Sequence, residues 1–395
     1  MAKTNKQIVI ISSCKDDWGG SEELWGRAIP HFQLAGYGIT VLKRNLNKRH
    51  KQFVDLARQG VVLEELLPEL WILNSIKKPY KLLIKVFRRV LKTVKRDNAL
   101  YFSDDYWVKK KLKKIQPQFV IVSQGINFDG LELAYGCSQL GIPYVLIAQK
   151  AVDFYWPSHF ERAVMRDVYL KASWCYFVSK HNKQLTEEQF GMRFPKSEVI
   201  YNTIKVPRRI IPMPDTIHGF RLACIGRYFL LDKGQDILIR IMAQPKWRAR
   251  PITISFIGSG ADKEALIEMT ELLGVNNVQF LDYVEDIVGL WKTHHALILP
   301  SRSEGLPLVL LEAMASGRTA IVSMAGGNPE IITDGVNGFV GQANEDDFDK
   351  AIERAWNVRE EWEAMGKRAY TFINENVPLQ PEKKLANSLL NRMGE

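Results

Sequence analysis

A carboxylate set among apolar residues is the first chemical signal in this sequence. In LPSRSEGLPLVLLEAMASG, Leu299 to Gly317, an apolar run ends at Pro300 and a helical pattern begins near Pro307. Proline suits a first helical turn, and Gly317 is a natural helix stop. Glu312 falls five residues past Pro307, about 7.5 Å along a helix axis. Its neighbours there are Leu308, Val309, Leu311, Ala313 and Ala315. A carboxylate in such company is costly to bury without a partner, and a ligand offering two hydroxyls would supply one. Glu304 lies in the loop before the helix, where free N–H groups and the helix dipole favour an anion. A plainer reading also fits these two residues: Glu304 caps the helix and Glu312 reaches solvent.

Three other loops carry possible ligand chemistry. CIGRYFLLDKGQD places Gly226 and Arg227 at a strand end, and Lys233 with Gly234 before the next helix. Two cations flanking such a turn suit a diphosphate, although surface cations without a role would look the same. FIGSGADK sets Gly258 and Gly260 after a strand, without the sixth-position glycine of a full dinucleotide fingerprint. WGGSEE puts Gly19 and Gly20 at the first turn of the chain's first strand–helix unit, where bare backbone can approach a phosphate. A tight turn alone accounts equally for either glycine pair.

The elements that must position these loops form two series. Gln7–Ser12, 38–42, 119–122, 144–148, 174–178 and 199–201 read as short strands alternating with helices, with Pro30 able to bend or end the first helix. A Pro-rich stretch, 207–218, reads as a linker. A second series follows, at 222–225, 252–257, 278–281, 296–299, 319–322 and 338–340, and the rest of the chain from Phe348 reads as mostly helical. Alternation of this kind predicts parallel sheets covered on both faces. The predicted architecture is α/β, with two doubly wound Rossmann-like domains facing a central cleft. The expected boundaries are a first Rossmann-like domain over 1–206, the linker 207–218, a second Rossmann-like domain over 219–375, and a C-terminal helix over 376–395 packing back on the first domain. Ligands in such folds bind beyond the carboxyl ends of the strands, where the four loops fall.

Composition narrows the class. Of 395 residues, 46% are hydrophobic and 25% charged, which fits a globular chain rather than a disordered or collagen-like one. The apolar runs are too short to span a bilayer or to serve as a secretory signal. The four cysteines form no C-x-x-C pair, so a reduced, cytoplasmic setting is expected. The net charge of +10 is local: residues 77–114 hold fourteen Lys or Arg against three Asp. Apolar residues at helical spacing make this a basic amphipathic helix. It could meet an anionic membrane surface on the cytoplasmic side or be an ordinary helix with a solvated face. Nucleic acid is not expected, since no recognised binding motif accompanies the charge.

Taken together, these segments resemble the retaining glycosyltransferases of family 4, the glycosyl transferases group 1 with the GT-B fold. Glu304 and Glu312 look like that family's E-x7-E element, and 301–340 is similar to it nearly throughout. Gly226-Arg227, Lys233-Gly234, the Gly258 turn, VQFLDYVEDI and Gly19-Gly20 fit in order. The resemblance implies that Arg227 and Lys233 clamp a donor pyrophosphate, with Glu304 on the transferred sugar and Glu312 on the ribose diol. It places the backbone of Gly305, Leu306, Pro307 and Leu308 on sugar and phosphate, Gly20 on the diphosphate, and the base near Tyr283 and Val284. It implies a UDP- or GDP-type sugar donor, a glycan or lipid-linked acceptor, no cofactor and no metal, and front-face displacement.

One departure stands out. Many members carry a histidine after the strand matching 144–148, whereas this chain has Gln149 and Lys150. Gln149, Asp153 and His159 are the acceptor-side candidates. A D-x-D metal motif occurs only as Asp347-Phe348-Asp349, at an apparent helix start where acids favour the dipole. Two alternatives share these features: a GT-B nucleotide-sugar epimerase, and a nucleotide-sugar-binding scaffold with a degenerate acceptor site.

Overall fold

The computed structural model describes residues 6–14, 16–66 and 105–394. Of the basic segment, 77–104 therefore lies outside the described residues, and Asp105–Ile115 is a helix. Two wholly parallel sheets organise the chain. The first has seven strands in the order β3-β2-β1-β4-β5-β6-β7: β1 Gln7–Ser12, β2 Gly38–Lys43, β3 Val62–Glu65, β4 Phe119–Gln124, β5 Tyr144–Ala148, β6 Trp174–Phe177 and β7 Ser197–Val199. The second has six, ordered β10-β9-β8-β11-β12-β13: β8 Phe220–Ile225, β9 Ile252–Ile257, β10 Val278–Leu281, β11 Ala296–Leu299, β12 Thr319–Ser323 and β13 Gly338–Gly341.

The inner strands β1, β2, β4, β5, β11 and β12 are near-continuous runs of buried, mostly aliphatic residues, as burial on both faces requires. In the first domain one face packs around Ile8, Ile10 and Trp25, and the other around Val9, Ile11 and Phe177. The second domain divides likewise between a layer holding Phe256 and Trp247 and one holding Leu297 and Leu310. Strand order reverses between β1 and β4 and between β8 and β11, and those switch points face the cleft. Two sheets of this topology face to face make the GT-B fold.

Three local expectations change. Helix Gly20–Leu34 runs straight through Pro30; its neighbours Ile29 and Phe32 are buried, and that packing outweighs the lost N–H. The edge strand β3 was not anticipated, since Glu64 and Glu65 mask it. β7 lies two residues earlier than 199–201.

The segment 207–218 has no regular structure and is tied to the second domain. Arg209 and Ile211 donate backbone N–H groups to Ala315 and Ser316. The buried Arg318 guanidinium holds the carbonyls of Ile211 and Pro212 at 2.7 and 2.8 Å. The last helix, Pro381–Gly394, crosses to the first domain, where Leu385, Ala386 and Leu389 enter the core beside helix Gly20–Leu34. Among the described residues no helix is long and apolar enough to cross a membrane.

Candidate active site

Between the two sheets lies a cavity of about 690 Å3. Each wall comes from loops at the carboxyl ends of strands. Gly19 and Gly20 follow β1, Gly226 and Arg227 follow β8, Gly258 follows β9, and Tyr283 and Val284 follow β10. Glu312 and Val309 close it from helix Leu308–Ala315. Gly258 has φ +149°, and a methyl group there would stand 2.1 Å from the Gly226 carbonyl oxygen. Only glycine lets these two loops pack as one wall.

The two glutamates have opposite surroundings. One oxygen of Glu304 is held by two donors: Lys233 Nζ donates to its Oε1 at 2.6 Å and Ser301 Oγ at 2.7 Å. It therefore does not cap the following helix, which has no side-chain cap. Glu312 is 2% exposed, and its Oε1 has no hydrogen-bond partner. Burial pushes its carboxyl above the ordinary value of 4.5, against the opposing pull of Lys205. A buried carboxylate oxygen left without a donor at a cavity wall costs stability, and donors carried by a ligand would offset that cost.

The cations of the two domains are each paired with an acid. Arg227 Nη1 bonds Asp16 Oδ2 across the cleft at 2.7 Å, and Gln235 steadies the Arg227 carbonyl at 2.8 Å. Lys150 Nζ, from the first domain, reaches Asp232 Oδ2 at 2.8 Å. Lys233 and Glu304 do not line the cavity. They stand next to it, where the domains touch.

That contact is close. Gly305 lies against Gln149, such that a methyl group on Gly305 would be 1.8 Å from the Gln149 carbonyl oxygen. A methyl group on Gly20 would approach Leu308 Cδ1 to 3.1 Å. Gln149 is buried, its amide 3.5 Å from the Ser21 carbonyl. Asp153 and His159 stand elsewhere and are exposed, Asp153 on the loop after β5 with His181 3.9 Å away and His159 at the start of helix His159–Lys171 with Phe160 packed against it. Leu306 is buried in the second core, and Pro307 is the N-cap of helix Leu308–Ala315. Asp347 and Asp349 belong to a helix start capped by Asn344. There Asp349 accepts from Trp247 and Lys246, both at 2.6 Å.

Sequence reasoning passed over the support beneath the Gly19-Gly20 loop. Glu22 Oε1 accepts from Ser12 Oγ at 2.8 Å and from Lys43 Nζ at 3.0 Å, with both charged side chains wholly buried. Its other oxygen holds the Gly19 N–H at 3.1 Å and Ser21 Oγ at 2.7 Å. Glu23 fixes Trp18 at 2.9 Å and approaches Lys205 at 3.6 Å. The two acids in WGGSEE were the available signal; their lysine partners are distant in sequence.

With the geometry in hand, comparisons place the chain. Residues 220–372 match the profile of the family described as glycosyl transferases group 1. A D-inositol 3-phosphate glycosyltransferase of Corynebacterium diphtheriae is 31% identical over 142 residues, 34% of this chain and 33% of that protein. The alignment thus spans about a third of that relative's length. An uncharacterized glycosyltransferase of Haemophilus influenzae is 24% identical over 271 residues, 67% of this chain and 72% of its own. The crystal structure of Anabaena HepE in complex with UDP superposes with a TM-score of 0.72 at 17% identity, covering 98% of this chain and 99% of that one. The second domain thus carries the glycosyl transferases group 1 signature, and the whole chain has the GT-B fold.

Proposed function

We propose that this protein is a retaining glycosyltransferase of family 4 that moves a hexose from a nucleoside-diphosphate donor to a glycan or lipid-linked acceptor. The unpartnered Oε1 of the buried Glu312 carboxylate at the cavity wall carries the reading. It asks for a ligand with hydroxyl donors, and a ribose diol supplies two. The nucleoside then lies between Glu312 and the Tyr283–Val284 wall. Its diphosphate points along Arg227 toward Lys233, and the sugar meets Glu304 and the backbone of Gly305 to Leu308.

Cleaving the sugar–phosphate bond builds charge on the departing diphosphate. Preorganised cations aimed at that charge lower the barrier, so the reading calls on Arg227 and Lys233 rather than a metal or cofactor. Glu304, already fixed by Lys233 and Ser301, is oriented for sugar hydroxyls. No side chain on the acceptor face is assigned as a base, since Gln149 cannot take a proton at neutral pH. Front-face displacement needs none, because a leaving-group oxygen accepts the acceptor proton. UDP is the favoured nucleotide, by analogy with the UDP complex of HepE.

Calorimetry with UDP, GDP and their sugar conjugates tests the donor site, and the anomeric configuration of the product tests retention. One nucleotide binding well above the rest supports the reading. Failure of all of them, in folded protein, refutes it. An epimerase would interconvert the donor sugar without any acceptor, which product analysis separates.

A further inference from the structure

We propose that Lys150 is a third diphosphate-binding cation, delivered to the donor from the opposite domain. The inference rests on the donor-site reading above and adds a residue that reading leaves out. Lys150 is the second residue after β5, and its backbone neighbour Gln149 is the one pressed against Gly305. Its ammonium is 2.8 Å from Asp232 Oδ2, with the two side chains 17% and 10% exposed. Arg227 Nη2 is 3.9 Å from that same oxygen. One anionic oxygen therefore sits between two cations from different domains. The residue after Asp232 is Lys233, whose own ammonium is held by Glu304.

The pattern is one of carboxylates standing where a polyanion would stand. Asp16 and Asp232 attend Arg227, Asp232 also attends Lys150, and Glu304 attends Lys233. Arg227 lines the nucleoside cavity, and through Asp232 Oδ2 it is linked to Lys150 from the opposite domain. A terminal phosphate has more oxygens and more charge than the single carboxylate of Asp232, and could engage Lys150 and Arg227 together. Lys150 would then take over leaving-group stabilisation from the first domain. Binding a diphosphate would also tie the two domains through one ligand.

A plain structural role gives a different expectation. If Lys150 only pins the domains by holding Asp232, removing either partner should do the same harm. If Lys150 binds phosphate, Asp232 is its competitor, and removing Asp232 should help. Calorimetry of UDP, UMP, GDP and GMP on the full chain distinguishes these cases, using Lys150→Met, Lys150→Arg and Asp232→Asn, each checked for folding by circular dichroism. Loss of one charge-assisted bond predicts about tenfold weaker diphosphate binding in Lys150→Met. Monophosphate affinity should stay within about threefold on the same scale, since one decade is ~1.4 kcal/mol. Lys150→Arg should restore most of the loss, and Asp232→Asn should bind diphosphate more tightly than wild type. The proposal is overturned if Lys150→Met weakens mono- and diphosphates equally or neither. Weakening by Asp232→Asn as severe as that by Lys150→Met also overturns it. Absence of nucleotide binding by wild type removes the donor-site reading and this proposal with it. Normal wild-type binding with an unaffected Lys150→Met refutes this proposal alone.

Discussion

Replacing Glu312 by glutamine separates what this residue costs the fold from what it gives the ligand. The side chain is 2% exposed, with one oxygen lacking a donor. Burial raises its carboxyl above the ordinary 4.5. The sign follows directly. Below 4.5 the group is protonated in both folded and unfolded chains. As pH rises, the unfolded chain loses the proton first, so stability falls through the folded-state value and stays lower above it. Glu312→Gln should therefore melt higher than wild type at pH 7–8, and the gap should close toward pH 4.5. Ligand binding should move the other way. A hydrogen bond to a charged acceptor contributes ~1.5–3 kcal/mol and a neutral one ~1, so the swap predicts about a tenfold loss of UDP affinity. Comparing UDP with 2′-deoxy-UDP assigns the loss to the ribose, as a thermodynamic cycle. Wild type should prefer UDP, and the variant should lose most of that preference. If both proteins discriminate alike, Glu312 does not hold the ribose. If the variant is less stable at pH 7 by an amount independent of pH, the burial argument fails.

Two further outcomes follow from the same geometry. Lys43→Met strands the wholly buried Glu22 carboxylate and should cost about 3–5 kcal/mol in urea denaturation, with Lys43→Met/Glu22→Gln recovering part of it; costs of the two single variants that simply add in the double variant would show the pair is not coupled. Contact of the basic segment 77–114 with an anionic membrane predicts cosedimentation with phosphatidylserine vesicles that weakens when Lys110, Lys113 and Lys114 are changed to Gln, at ~1 kcal/mol per charge; binding unaffected by anionic lipid would remove that contact.

Much of the fold was legible because burial writes itself into strands. Runs such as QIVIIS and ITISFI need no partner to be recognised, and both sheets follow from them. What went astray was marginal to the core: β3 (VLEE) escaped and β7 (SEV) was expected two residues late, both edge strands with partly exposed, charged faces. Pro30 misled in the other direction, since it sits on the exposed side of a helix whose other face is fully packed. In the site, Glu312 was readable as an anomaly against its own helix. Arg227 and Lys233 were readable by their place at a strand end. The buried pair of Lys43 and Glu22 was not, because twenty-one residues separate its members and neither residue is unusual in its local context.

The contrast between Glu304 and Glu312 bears on how the site is held ready. The helix that carries Glu312 is otherwise apolar, and its buried carboxylate has one oxygen without a donor. Glu304 faces the opposite demand, and meets it with a cation and a hydroxyl drawn from neighbouring loops. One acid is therefore fixed by its partners and the other by its surroundings, with an oxygen left open. Shape alone does not make such a site. The glycine at 305 brings the Gln149 carbonyl against the Glu304 loop, so the acid paired with a cation lies at the interdomain contact while the one with an open oxygen lines the cavity. On the donor-site reading proposed above, one nucleoside-diphosphate sugar spans the two acids, with hydroxyls at its ends and negative charge in its middle.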